Sequence, residues 1–295
     1  MQCGMCREEA VTFQQYSGKY LCRRHFIDDI EAKAKHAIRS RRWLKAGDHI
    51  GVDFSGDCAS TVLLFFLHHL FSNRKDIRVT AVIIDEIHRE CRGTERSEEF
   101  ARGLGIPVVR GSFPARPGLP TGGKGTESGE PGTIGCREAM RSEVLDRLGK
   151  EHGMTKIASG YCLDDETVSL LTDMLRGYAG HLFVQPGDRH DRLPVITPFI
   201  AISEDDIALY AHERGIRPCG SSRCPGPGTF EKEVKTMLDT YTGRHPATKY
   251  SLLHLGMSIR NAGTAAGVLP GTSRRFGGPA RGACPRSDEV TGIGR

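Results

Sequence analysis

Along the middle of the chain, short β-rich apolar runs alternate with longer stretches in which apolar positions return at helical spacing. His49 to Phe54, Arg78 to Asp85, Ile106 to Arg110 and Thr155 to Ser159 read as buried parallel strands. Between and after them, Ser60 to Phe71, Thr94 to Leu104, Cys136 to Glu151 and Asp164 to Arg176 carry the helical pattern. Such alternation predicts an α/β fold with a doubly wound parallel sheet. Ligands of these sheets bind beyond the carboxyl ends of the strands, so the turns leaving the strands are where chemistry is sought.

The flanks break this pattern. In the first thirty residues, two cysteine pairs flank a hairpin-like stretch with Ser17 and Gly18 between Phe13 and Tyr20, and a basic helix is expected from about Asp28 to Leu44. Residues 1–46 thus form a zinc knuckle plus basic helix, and residues 47–218 the α/β domain. Within that domain, residues 111–135 hold twelve Gly or Pro in twenty-five positions, the composition of a mobile loop. A helical C-terminal region is expected over 219–261, with the helical pattern from Thr229 to about Asn261, followed by a Gly-, Pro- and Arg-rich tail over 262–295 that reads as disordered.

Composition narrows the class without changing this outline. A chain of 295 residues has the length of about two average domains, or of one large domain with appendages. At 38% hydrophobic and 26% charged it is an ordinary globular chain. The longest apolar run, Val62 to Leu67, ends at His68 and His69, far short of the ~18 residues of a membrane span. Both histidines read as packing or surface residues of an apolar helix. Cys3 and Cys6 stand where a secretory signal would place its charged and apolar regions, which points to a cytoplasmic protein. The net charge of +5 resides entirely in residues 1–46, with ten Lys or Arg against five Asp or Glu. A basic arm of this kind either contacts nucleic acid or presents a solvated helix face.

Cys3, Cys6, Cys22 and His25 form C-x2-C, fifteen residues, then C-x2-H, the ligand number and spacing of a closed tetrahedral zinc site. Zinc would here fold a module too small to bury a core of its own. After the first strand of the sheet, Asp53-Phe54-Ser55-Gly56-Asp57-Cys58-Ala59-Ser60-Thr61 leads into an apolar helix. Small residues in such a turn let backbone amides, the helix N-terminus and hydroxyls cradle a phosphate.

This turn resembles the S-G-G-x-D-S pyrophosphate loop of the ATP-pyrophosphatase superfamily, with Asp57 at the second glycine, Cys58 at the variable place and Ala59 at the aspartate. Further blocks resemble one branch, the iron–sulfur-dependent tRNA 2-thiolation enzymes, over residues 1 to about 261. They are the N-terminal zinc knuckle with its basic helix, Ile84-Asp85-Glu86-Ile87 for D-E-G-I, and Gly160-Tyr161-Cys162-Leu163-Asp164-Asp165-Glu166 for G-H-N-L-D-D-E, with Arg176-Gly177 and Cys224-Pro225 completing the set. The resemblance implies an adenine-nucleotide α-hydrolase-like fold and ATP with magnesium, with tRNA as partner, and leaves room for a sulfur-carrier protein and a homodimer. It implies that ATP activates the C2 oxygen of a uridine as an adenylate, that sulfur displaces AMP, and that three cysteines hold a cluster with one iron open. Carried over residue by residue, it puts Ser55, Gly56, Ser60, Thr61, Asp85 and Gly160 at the nucleotide. Asp164 and Cys136 fall at the reaction centre, and Cys136 and Cys224 at the cluster.

Departures fall at the chemistry. Thr133 stands where the C-x-x-C pair has its first cysteine, and Met140, with Arg141 beside it, replaces a basic residue. A third cluster ligand would have to come from another thiol, Cys162 first and Cys219 in reserve; both also read as small buried hydrophobes. Asp164, Asp165 and Glu166 equally suit the first turn of a helix by its dipole. Asp57 sets a carboxylate beside the expected phosphate, where two unit charges ~4 Å apart repel by ~4 kcal/mol at an effective dielectric of 20. Cys284 stands alone where a second zinc module would need four ligands, so no second zinc is expected. Three functions follow: ATP-dependent tRNA 2-thiolation, a catalytically inactive relative that binds tRNA or nucleotide as partner or regulator, and a thiol-based metal or redox sensor.

Overall fold

The computed structural model describes residues 1–85, 92–112, 133–183, 192–220 and 229–265. A hairpin of β1 (Thr12–Gln14) and β2 (Lys19–Leu21) leads into α1 (Arg23–Ser40). The body follows as β3 (His49–Asp53), α2 (Cys58–Phe71), β4 (Arg78–Asp85), α3 (Arg92–Gly103), β5 (Val108–Ser112), α4 (Thr133–Glu151), β6 (Lys156–Ala158), α5 (Leu163–Leu175), β7 (Val195–Ile196) and α6 (Glu204–Arg214). Two further helices, α7 (Thr229–Thr242) and α8 (Thr248–Ala265), end the described chain.

Strands β3 to β7 form one parallel sheet in the order β5-β4-β3-β6-β7. The chain winds outward from β3 through β4 to β5, then returns to the other side of β3 with β6. The switch point therefore lies between β3 and β6, where such a sheet opens a crevice at its carboxyl edge. Helix α2 is apolar around most of its circumference because it is covered on all sides: Val62, Leu63, Leu64, Phe66 and Leu67 are each at most 2% exposed, packed with the sheet and α6. His68 is half-buried and His69 exposed, stacked on Phe65.

The structure shifts several expected boundaries. Helix α1 begins earlier than expected, with Cys22 as its N-cap. It ends before Leu44 because Arg42 turns left-handed at φ 51°. The amides of Arg42 and Trp43 then bond to the carbonyls of Arg39 and Ile38 at 3.1 and 3.2 Å, a Schellman stop. The helical region expected from Thr229 consists of two helices, parted at Gly243 and Pro246, residues that disfavour a helix interior. Helix α8 also runs past Asn261. Residues 111–112 belong to β5 and 133–135 to α4; the rest of the expected mobile loop, and the tail from 266, lie outside the described residues. No helix among the described residues is long and apolar enough to cross a membrane.

Helices α5 and α8 are joined by an ion pair between Glu166 and Arg260, whose side chains are 2% and 7% exposed. Removing one partner of such a pair leaves a buried charge unpaired, costing about 3–5 kcal/mol, whereas replacing both by apolar groups can be neutral. Arg260→Met should therefore lower the stability of the chain by that amount in denaturant unfolding. Pairing it with Glu166→Leu should recover most of the loss, and an Arg260→Met protein as stable as the original would contradict the assignment.

Candidate metal centre and carboxyl-edge site

The hairpin brings its two flanking cysteine segments together. The Gly4 amide donates to the Tyr20 carbonyl at 2.8 Å, folding the Cys3–Cys6 knuckle against β2. Cys22 caps α1 and His25 follows in its first turn, on the same side of the helix three residues on. The ligand atoms of Cys3, Cys6, Cys22 and His25 all lie within 4.8 Å of one another. Cys6 and Cys22 sulfurs are 3.7 Å apart, and His25 Nδ1 is 3.4 Å from Cys3 Sγ and 3.3 Å from Cys22 Sγ. A tetrahedral ion with metal–sulfur bonds of about 2.3 Å has a sulfur–sulfur edge of about 3.8 Å, so the quartet is spaced for a four-coordinate metal. Burial pushes the Cys3 thiol up, but the backbone at Cys22, Met5 and Cys6 together with His25 outweighs it and brings the thiol down to about 6. At Cys22 the backbone at His25 pulls the thiol down, but burial with Glu8, Cys6 and Cys3 outweighs it and pushes the thiol up to about 11, so the quartet favours charge on one thiol over the other until a cation joins them.

At the switch point, the turn after β3 is held from within. Asp57 is the N-cap of α2, and its Oδ1 accepts the Ser60 amide at 2.8 Å. Its own carbonyl accepts the Thr61 amide at 3.0 Å, the Thr61 hydroxyl at 2.6 Å and the Ser60 hydroxyl at 3.3 Å. Ser60 and Thr61 are buried, and Ser55 alone of the turn's three hydroxyl residues is exposed. Gly56 sits at φ 81° with its carbonyl accepting the amides of Cys219 and Gly220 at 3.0 and 2.8 Å. A side chain there would drive into Ser97 of α3. Across the crevice, a Cβ on Gly160 would lie 3.0 Å from backbone atoms of Ala59 and Ser60, so the β6–α5 turn packs tightly against the start of α2 and a side chain here would have to displace backbone by a few tenths of an ångström.

Carboxylates at this edge are matched by cations. Asp53, ending β3, receives two bonds from the Arg141 guanidinium of α4, Nη2 to Oδ1 at 2.5 Å and Nε to Oδ2 at 3.3 Å. Met140, at the family's basic position, is buried at 6% exposure, and the charge enters one residue later through Arg141. Asp85, ending β4, pairs with Arg110 at 3.4 Å in a half-exposed contact. Asp164 is 6% exposed and spans three helices: Oδ1 accepts Lys249 Nζ of α8 at 2.6 Å and Oδ2 the Glu204 amide of α6 at 2.8 Å. Lys249 also holds Asp239 of α7 at 2.6 Å. Lys249 and Arg141 were not picked out as partners of these carboxylates from the sequence, and no local signal marks them.

Cys162 is 2% exposed and Cys219 6%, both within the core cluster around α2 and the sheet. The Cys162 backbone amide donates to Asp165 Oδ2 at 2.9 Å in a capping box that starts α5. Burial, with Asp165 and Asp164 adding to it, pushes the Cys162 thiol well above its ordinary value, and burial likewise raises Cys219. Cys136 lies in the first turn of α4, and Cys224 falls outside the described residues, as do Glu86 to Cys91 and Cys284.

Comparison with known proteins places these features in a family context. Residues 2–27 match the N-terminal LIM domain of the 2-thiouridine synthetase TtuA. The tRNA 2-thiolation protein NcsA of Haloferax volcanii is 26% identical over 274 residues, 86% of this chain and 85% of that protein. The cytoplasmic tRNA 2-thiolation protein 1 of Bos taurus is 26% identical over an alignment spanning 100% of this chain and 88% of its own. The fold is that of the U34-tRNA thiolase NcsA from Methanococcus maripaludis, solved with its [4Fe-4S] cluster, at a TM-score of 0.76 and 23% identity over 88% of each chain.

The quartet makes a direct prediction. A Cys3→Ser, Cys6→Ser double variant should lose the metal that elemental analysis finds on the purified protein. Full retention would place that metal elsewhere.

Proposed function

We propose that this chain, a member of the PP-loop tRNA 2-thiolation family, works on tRNA as an ATP-dependent sulfurtransferase that converts a uridine to 2-thiouridine. The observation that carries the reading is the meeting of two turns at the switch point. The blocks that resemble the family's nucleotide loop, Ser55 to Thr61, and its G-H-N-L-D-D-E block, Gly160 to Glu166, converge there, with Gly160 packed tightly against the backbone of Ala59 and Ser60. ATP with magnesium, a sulfur-carrier protein and a second copy of the chain belong to this reading as partners, and the cytoplasm as its place. Zinc suits the Cys3, Cys6, Cys22 and His25 quartet by donor set and spacing. Its chemistry there is structural, a crosslink between hairpin and α1.

The other two groups that the family implies fit less well. A pyrophosphate would need the amides and hydroxyls at the start of α2, and the Asp57 carboxylate has taken the Ser60 amide while the Asp57 carbonyl accepts both buried hydroxyls. A cluster would need three converging thiolates. Thr133 is no thiolate, and burial keeps Cys162 protonated as the cap of α5. No step is derived through either group. What the chain's own residues do at the edge is hold charge: Arg141 neutralises Asp53, and Lys249 with the α6 N-terminus neutralises Asp164.

These departures favour a second reading, a member that keeps the scaffold and the tRNA but not the chemistry, acting as partner or regulator. A thiol sensor has less support, since Cys162 and Cys219 are buried with raised thiols and Cys58 is raised by burial and Asp57. Reconstitution with iron and sulfide under anaerobic conditions, followed by tRNA binding and mass-spectrometric analysis of the tRNA nucleosides, separates the readings. The first predicts 2-thiouridine when ATP is supplied. Tight tRNA binding without product supports the second, and absence of tRNA binding contradicts both.

A further inference from the structure

Strands β3, β4 and β6 begin at one edge of the sheet, at His49, Arg78 and Lys156, across the sheet from the turns of the switch point. Backbone bonds draw together the segments that enter these strands. The Asp48 amide donates to the Lys45 carbonyl at 3.3 Å, the Gly47 amide to the Asp76 carbonyl at 2.8 Å, and the Arg78 amide to the Asp48 carbonyl at 3.0 Å. On the other side of β3, the Thr155 amide donates to the His49 carbonyl at 2.8 Å. Lys45, Lys75, Arg78 and His152, all exposed, therefore belong to one continuous rim.

The rim is cationic after every acid on it is counted. Its segments, residues 45–49, 72–80, 104–109 and 150–156, hold six Lys or Arg and two His against three acids. Each acid has a cation of its own. Asp48, 6% exposed, accepts Lys156 Nζ on its two oxygens at 2.8 and 2.9 Å, and Asp76 accepts the Arg74 guanidinium at 2.9 and 2.5 Å. Glu151 pairs with Arg147 at 3.5 Å, while Lys150 is held by Asp146 at 2.7 Å. Lys45, Lys75 and Arg78 make no ion pair among the described residues.

Arg78 and His152 also line a cavity of about 400 Å³, together with His49, Thr80 and the apolar Val79, Pro107 and Val109. Burial, with the charges of Arg78 and His152 adding to it, lowers His49 below its ordinary value. The neutral ring donates from Nδ1 to the Gly153 carbonyl at 3.3 Å and accepts the Thr80 hydroxyl on Nε2 at 2.8 Å, so His49 is a fixed part of the lining. Charge is left to long exposed side chains spread over separate segments, without counter-ions. A row of such cations complements a row of anions, as in the phosphodiester backbone of RNA, where contacts of this kind position the nucleic acid and do not read its sequence.

We propose that this amino edge of the sheet is a contact for the phosphate backbone of the RNA substrate, made by Lys45, Lys75 and Arg78. The proposal rests on the reading that the chain works on tRNA. Lying across the sheet from the switch point, the contact holds the body of the RNA and leaves the reacting base to the carboxyl edge.

Filter binding of bulk tRNA to the full-length protein over a range of salt concentrations tests it. The double variant Lys75→Gln, Arg78→Gln should lower the slope of log affinity against log salt by about two and weaken binding by roughly tenfold or more at low salt. Lys45→Gln, Lys75→Gln, which lies outside the strands, repeats the test should the change in β4 lower the melting temperature. Lys75→Arg, Arg78→Lys keeps both charges and should bind as the original does. Lys232→Gln, Arg244→Gln removes as much charge from exposed positions of α7 and around its end and should leave the slope as it was; an equal fall there would show that net charge alone matters and overturn the contact. An unchanged slope in both edge variants would overturn it too, while leaving tRNA as the substrate. Original protein that binds no tRNA would overturn the substrate reading and the contact with it. Inorganic phosphate that gives heat on titration into the original but not into Lys75→Gln, Arg78→Gln, at unchanged tRNA affinity, would make the edge a small-anion site and overturn the RNA contact.

Discussion

The carboxyl edge of this sheet is organised around one hydrogen bond, from the Ser60 amide to the Asp57 carboxylate. It fixes where α2 begins, a cap of about 1 kcal/mol on its own. With α2 starting there, the Asp57 carbonyl collects the Thr61 amide and two hydroxyls, and Gly160 must pass within contact of Ala59 and Ser60. The same turn is latched from the other side by the Cys219 and Gly220 amides on Gly56. In a loop built to receive a phosphate the Ser60 amide would point at the ligand, whereas the Thr61 amide is bonded within the helix in either case. Here the anion at the helix N-terminus is a residue of the chain.

A similar economy runs through the rest of the molecule: buried and half-buried carboxylates near the carboxyl edge are used as joints. Asp164 binds α5 to α6 and α8, Glu166 binds α5 to α8 through Arg260, and Asp53 ties β3 to α4. The N-terminal module is coupled to the C-terminal helices in the same manner. Tyr16 of the hairpin packs on Tyr250 of α8 at 4.6 Å, with Lys33 of α1 over its ring, and burial raises both tyrosines. Glu31 of α1 accepts the buried Tyr210 hydroxyl of α6 at 3.1 Å and pairs with Arg214. A metal held by the quartet would therefore order a hairpin that is already keyed into the body.

What could be read from the sequence follows the range of each interaction. The quartet was legible because its ligands sit in two short knuckles, and β3, β4 and β6 because their middles are buried and apolar; the edge strand β5, with no buried residue, begins at Val108 and ends at Ser112, two residues later than the expected run at each end. Helix α6 and the two-residue strand β7 were not legible, since Val195 and Ile196 are too few to show a period. Asp57 was read as a repulsive carboxylate facing a ligand. Its placement as a cap follows from a local preference, an aspartate three residues before the amide it accepts, which the family frame obscured. The partners of Asp53, Asp164 and Glu166 stand 88, 85 and 94 residues away, and no spacing rule reaches that far. Cys162, first choice for a missing ligand, was placed at the right edge of the sheet, but its burial could not be seen without the core packed around it.

The central claim is that the turn after β3, proposed to receive a nucleotide phosphate, is filled by its own aspartate. Calorimetric titration of ATP with magnesium into the protein and into Asp57→Gly tests it most directly, because glycine is itself a tolerated N-cap and the helix should start as before. Freed of the carboxylate, the Ser60 amide becomes available and a repulsion of ~4 kcal/mol at ~4 Å and an effective dielectric of 20 disappears. The account predicts that Asp57→Gly binds at least tenfold more tightly than the original protein. Equal affinities in the two proteins would contradict it.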